Sequence, residues 1–122
     1  MVLLLCVVVV VFDEAFVSEV LSGLVGVVVL EREGFAHKIV CAVSHVALVE
    51  SVSTLEGYNV PCHYEVWIVR RKHPSEFGNR WGLKWPGRED FGRLGWCYGD
   101  LDHARDKFWC VVESLDCGGG CV

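Results

Sequence analysis

The most constraining feature of this sequence is a one-sided apolar stripe near its carboxyl end. Six apolar residues between Leu101 and Leu115 fall within about 100° of a helix surface, because an α-helix turns about 100° per residue, and Trp109 lies at the edge of this stripe. Gly99 and Asp100 come just before the stripe, as a turn and an N-cap would. The sequence therefore predicts a helix over 101–115, whose apolar face needs another surface to bury it.

Three segments ahead of this helix have the composition of short strands. Residues 63–72 are rich in aromatic and β-branched side chains, residues 80–85 alternate large apolar with small or charged side chains, and residues 94–98 are largely aromatic and apolar. Turn-forming residues separate the three segments. We therefore predict a small single α+β domain in which an antiparallel sheet of these strands packs against the helix 101–115.

The first half of the chain is Val-rich, and its pattern fits more than one structure. We divide the chain into an apolar segment, 1–57, and a module of sheet plus helix, 58–122. The apolar segment is predicted to form a strand, a short helix and further strands, or else an appendage to the module. Residues 27–30 are predicted to form one of the strands, whereas residues 35–52 fit a helix or a strand equally well.

The apolar runs near the amino end are too short to cross a bilayer as a helix. The run 2–12 is followed by two acids, whereas a spanning helix needs about 20 apolar residues. A buried strand is the preferred interpretation of this run. The alternative takes residues 1–15 as a signal peptide or anchor, with membrane contact through residues 1–30. We expect a cytoplasmic protein in preference to a secreted or membrane-associated one.

A possible metal site is suggested by three polar residues of the predicted helix. His103, Asp106 and Cys110 fall on the side opposite the apolar stripe. Imidazole, carboxylate and thiolate groups are the ligands that Zn²⁺ takes in proteins. These residues are therefore the candidate ligands of a structural zinc ion. Isolated His and Cys residues more often have local roles, so a chain without a cofactor is the preferred expectation.

Basic residues alternate with five tryptophans in the second half of the chain. A sheet surface of this kind can stack nucleic-acid bases and contact phosphates. The candidate partner-contacting residues are Arg70, Arg80, Lys84, Arg88 and Trp109. However, Trp81, Leu83 and Trp85 share one strand face as core residues would, and the net charge is −5. Burial in a core is therefore preferred for the tryptophans, and nucleic acid is not the favoured partner.

No sequence motif for catalysis is present. The chain has no glycine-rich phosphate loop, no nucleophile elbow, no metalloprotease motif and no Cys-x-x-Cys pair. Cys97 and His103 flank the start of the predicted helix, where a helix amino end can lower a thiol pKa. The preferred function is a small non-catalytic binding or interaction module with an unknown protein partner. The alternatives are a secreted or membrane-tethered cysteine-rich protein and a nucleic-acid-binding module that uses an Arg/Trp sheet face.

Overall fold

The computed structural model describes residues 14–54, 61–73 and 81–117, without the side chains of residues 61, 62, 116 and 117. Its helices are α1, which covers residues 14–22, and α2 (Leu101–Cys117). Its strands are β1 (Val28–Arg32), β2 (Phe35–Val43), β3 (Val46–Ser53), β4 (Pro61–Ile68), β5 (Arg70–Arg71), β6 (Leu83–Lys84) and β7 (Gly95–Tyr98). A single 3₁₀ turn, Arg88–Asp90, is also among the described elements.

Five of the strands form one antiparallel sheet in the order β1-β2-β3-β4-β7, and α2 packs on it. The predicted α+β class, with an antiparallel sheet and a carboxyl-terminal helix, is therefore confirmed. Because β3 pairs with β4, strands from both halves of the chain belong to the same sheet. The sheet thus contains three strands from the first half, β1 to β3, together with β4 and β7 from the second half.

Two tight turns explain why residues 35–52 form strands and not a helix. Glu33 and Gly34 join β1 to β2, and both have a positive φ (56° and 83°), as a type I′ hairpin turn requires. Ser44 and His45 join β2 to β3, and Ser44 also has a positive φ of 54°. These loops reverse the chain after Arg32 and after Val43, so the valine-rich segments pair as hairpins.

The predicted strand 80–85 differs most from expectation. Only Leu83–Lys84 is a strand, and it pairs with β5 in a separate two-stranded sheet, while β4 pairs directly with β7. Gly82 has a positive φ of 71°, which interrupts an extended backbone just before β6. The expected burial is present, since Leu83 is buried and the tryptophans on either side of it are partly buried.

The sheet is covered on both faces, and alternation along β3 divides its side chains between two cores. Ala47 and Val49 contact α1 and the segment around Leu83 in the α1-side core. Val46 and Leu48 point the other way and contact α2 in the α2-side core. Every residue of 46–49 is buried as a result, as is usual for a strand with helices or loops on both faces.

The buried strand predicted over residues 2–12 lies outside the described residues, and so do residues 1–13 of the alternative signal peptide or anchor, 1–15. Within the described ranges, no helix combines the length and the apolar composition needed to span a bilayer. Helix α1 is amphipathic, and its Val17 and Leu21 are buried in the α1-side core. The short helix expected within the apolar segment 1–57 is therefore found, and it packs on the sheet.

We expect Phe108→Ala to lower the free energy of unfolding by about 3–5 kcal/mol, because it removes a ring that is 1 % exposed from the α2-side core. The matched control is Trp109→Ala, which removes a neighbouring ring that is 46 % exposed and should cost less than about 1 kcal/mol. Urea denaturation of both variants measures the difference. Equal losses would show that α2 does not pack on the sheet through the Phe108 side.

Candidate functional site

A row of polar side chains crosses three neighbouring strands on the α1 side of the sheet. His37 on β2 pairs in register with Ser51 on β3, and Ser51 pairs with His63 on β4. Glu65 and Trp67 follow His63 at two-residue spacing, so they project from the same face. All of these except His63 are buried. The sheet therefore contains a polar row at positions where an apolar core is expected.

Glu65 is the centre of this row. Its Oε2 atom lies 2.8 Å from Nε2 of His63 and 3.2 Å from Oγ of Ser51, and its Oε1 atom lies 2.9 Å from Nε1 of Trp67. An ionised carboxylate only accepts hydrogen bonds, so all three neighbours donate to it. These donors replace the water that the carboxylate loses when its strand is buried.

The same hydrogen bonds determine which ring nitrogen of His37 is protonated. Ser51 has one hydroxyl proton, which it donates to Glu65, so its Oγ accepts the 2.7 Å bond from Nδ1 of His37. Burial lowers the pKa of His37 below its usual 6.5, although the Glu65 charge opposes this shift. His37 is therefore neutral at pH 7, with its proton on Nδ1 by this assignment and a lone pair on Nε2.

A cavity of about 250 Å³ opens beside this row. We call it the His–Glu pocket, and the residues that line it are Arg32, Glu33, Phe35, His37, His63, Glu65, Arg88 and Phe91. The ring of Phe35 meets the ring of His63 edge-on, with centroids 5.0 Å apart. The exposed side chains of Arg88 and Glu33 form an ion pair. The pocket thus combines a polar floor with aromatic walls and charged residues.

A buried aspartate holds the loop that carries Arg88 and Phe91. Asp90 accepts hydrogen bonds from the backbone N–H of Gly87 at 2.9 Å and from the guanidinium groups of Arg70 and Arg93, each at 3.0 Å. The bond from Gly87 is the largest reason that the pKa of Asp90 is lowered, and the two arginines add to it. The ionised carboxylate therefore fixes this side of the His–Glu pocket.

The Ser, His and Glu of this site do not form a nucleophilic triad. In such a triad the acid binds the histidine nitrogen that is remote from the serine, whereas Glu65 binds Ser51 itself and a second histidine. Ser51 is also 0 % exposed, so no substrate reaches its hydroxyl. The floor of the pocket presents hydrogen-bonding groups, and its serine is placed to orient them.

Cys97 lies directly opposite Glu65 in the register of β4 and β7. It is free and exposed. Burial is the larger cause, and the Glu65 charge the smaller one, of a raised pKa for Cys97. The thiol is therefore protonated at neutral pH, and the start of α2 does not activate it as the sequence suggested.

The candidate zinc ligands lie on the solvent side of α2. Asp100 caps the helix and binds His103 twice at 2.7 Å, through its backbone N–H and its Nδ1 atom. Asp106 is exposed, and Cys110 is disulfide-bonded, so its sulfur is not a thiolate. The part of the chain that the structure describes holds no group of three His, Cys, Asp or Glu residues arranged for a metal ion. The structure does not assemble His103, Asp106 and Cys110 into one site.

The candidate partner-contacting residues are spread over both sides of the sheet. Arg70 and Lys84 are paired in register between β5 and β6. Arg88 lies at the His–Glu pocket, Trp109 is exposed on α2 in the opposite layer, and Arg80 lies outside the described residues. Arg70 and Arg88 each form an ion pair with an acid, Asp90 and Glu33 respectively.

Sequence reasoning missed the Glu65 network, although the chain contained a signal for it. His37, Ser51 and Glu65 stand at alternating positions that also hold core residues such as Ile39 and Val49. A polar residue at a strand position that points into the core needs a polar partner. The partners come from other strands, so they become visible only when the register of the hairpins is known.

We expect the stability of the protein to fall as the pH drops below 6.5, in part because of His37. Its pKa is lower in the folded chain, so the unfolded chain binds more protons and acid favours unfolding between 6.5 and the folded-state value. His37→Gln keeps a donor for Ser51 and removes this titration. The slope of unfolding free energy against pH, from urea denaturation, should be smaller in the variant by up to about 1.4 kcal/mol per pH unit. An unchanged slope would contradict the neutral assignment.

The chain matches no protein family, no curated protein and no solved structure.

Proposed function

We propose that the protein is a non-catalytic binding module and that the His–Glu pocket holds a small polar ligand. The observation that carries this proposal is the buried Glu65 network at the floor of a cavity. Binding sites in proteins are typically concave, with apolar walls and a few oriented polar groups. Phe35 and Phe91 supply such walls, while His37, His63 and Glu65 supply the polar groups.

The environment of these groups supports binding in preference to covalent catalysis. Ser51 is inaccessible, and the thiol of Cys97 is held in its protonated form. The hydrogen bonds of Glu65 fix the orientation of His63, and the bond to Ser51 fixes that of His37. Groups that are held in place before the ligand arrives lose little conformational entropy when it binds. A rigid floor of this kind suits recognition.

The proposal is tested with three ring probes of similar shape: benzylamine, benzyl alcohol and benzoate. The protein is labelled with ¹⁵N in its histidine rings, and the ring signals are followed by NMR as each probe is added. At least one probe should shift the signals of His63 and His37 saturably, because both line the pocket.

The variant His63→Phe should abolish the saturable shift of His37, whereas His45→Phe, which removes a histidine in the β2–β3 loop, should leave it unchanged. Circular dichroism checks that both variants fold. If no probe perturbs the two rings in the wild-type protein, the proposal is wrong.

A second candidate function, a secreted or membrane-tethered cysteine-rich protein, is favoured by the disulfide bond of Cys110. Disulfides persist mainly in oxidising compartments. This proposal assigns residues 1–15 to a signal or anchor. Cys41 and Cys97 are free thiols, so the chain would contain both oxidised and reduced cysteines.

Thiol counting on natively expressed protein tests this candidate. An alkylating reagent added under denaturing, non-reducing conditions should leave Cys110 unmodified and modify Cys41 and Cys97, as read by peptide mass spectrometry. The same treatment after reduction is the control, and it should modify all three. Modification of Cys110 without a reductant would exclude a stable disulfide and the secreted assignment with it.

A further inference from the structure

The floor of the His–Glu pocket has more hydrogen-bond acceptors than donors. Between the described residues, Oε2 of Glu65 accepts two hydrogen bonds and Oε1 accepts one, whereas a carboxylate has about four acceptor sites. The proton of His37 is used on Ser51, which leaves its Nε2 as an acceptor. His63 donates from Nε2 to Glu65. A ligand that matches this floor must bring donors.

The acid of the floor itself, Glu65, is the group that favours a cation. Glu65 is buried, and its described partners are side chains without a permanent positive charge. Arg88 is paired with Glu33, and Arg32 donates to the backbone oxygen of Pro86 at 3.3 Å.

Charges of both signs act on His37. Glu65 and Glu33 raise its pKa, whereas Arg32 and His63 lower it, and Glu65 has the largest single effect among these charges. The Glu65 carboxylate is also close to the ring, with its Oε2 atom 3.5 Å from Nδ1 of His37.

The walls suit a cation that carries an apolar group. The rings of Phe35 and Phe91 border the cavity. An aromatic ring face attracts a positive charge, and the ring also removes apolar surface from water. Walls of this kind would not stabilise an anion, which the floor carboxylate would also repel.

We infer that the His–Glu pocket binds a primary amine in its ammonium form, with the –NH₃⁺ group at Glu65 and the apolar part of the ligand against Phe35 and Phe91. An ammonium group has three donors, which suits the acceptors that Glu65 and Nε2 of His37 present. This inference rests on the proposed binding function and names the class of ligand for the same site.

The test compares the affinities of benzylamine, benzyl alcohol and benzoate for the wild-type protein at pH 7 and at one fixed ionic strength. The histidine ring signals report binding at the pocket. Benzylamine should bind at least about tenfold more tightly than benzyl alcohol, because a charge-assisted hydrogen bond is stronger than a neutral one. Benzoate should bind more weakly than both.

The variant Glu65→Gln should reduce the preference for benzylamine over benzyl alcohol to less than about twofold. The matched control is Glu50→Gln on β3. The side chain of Glu50 projects from the opposite face of the sheet, so this variant should keep the preference. If Glu65→Gln does not fold, the ranking in the wild-type protein still decides.

The outcomes separate this inference from the proposal on which it rests. Binding of benzyl alcohol or benzoate at the two histidine rings, as tight as that of benzylamine, would overturn the amine inference and leave the binding module intact. An unchanged preference in a folded Glu65→Gln variant would overturn it as well. Absence of binding by all three probes would overturn both.

Discussion

The structure depends on how one buried carboxylate is compensated. Glu65 gives up its hydration when β4 is covered, and an ionised carboxylate left without partners there would cost several kcal/mol. Ser51 reaches it from the neighbouring strand, and His63 and Trp67 reach it from its own strand. A one-residue slip of β4 would turn Glu65 towards the apolar α2-side core. The polar bonds therefore distinguish one strand register from its neighbours, while the two apolar cores supply most of the stabilisation.

The same carboxylate explains why the pocket lies where it does. The α1-side core is apolar over β2, β3 and β4 near Ile39 and Val49, and becomes polar at the end of the strands where His37 and His63 stand. Beyond that point the loop held by Asp90 borders the cavity. The pocket is thus formed at the boundary between a dry core and a charged loop, and both sides of it are fixed by buried acids.

Much of the architecture could be predicted because it follows from local periodicity. The helix 101–115 was expected from its stripe and its Asp100 cap, and both are present. The middle strand 80–85 was expected in the main sheet, but Gly82 interrupts it. The site itself was not predicted, since it depends on which residues of β2, β3 and β4 stand side by side. The β2–β3 register follows from a two-residue loop whose positive φ at Ser44 is not evident from the residue type, and the β3–β4 register joins strands that are further apart in sequence.

The two-residue loops of the first hairpins also have a consequence for the order in which the chain folds. Strands β1, β2 and β3 pair between residues that are close in sequence, whereas β4 and β7 are paired across a longer stretch of chain. Short loops close with little entropy loss and form early in folding. We therefore expect His37 and Ser51 to meet when the β2–β3 hairpin closes, so that β4, which joins β3 across a longer loop, brings the charge of Glu65 to a donor that is already in place.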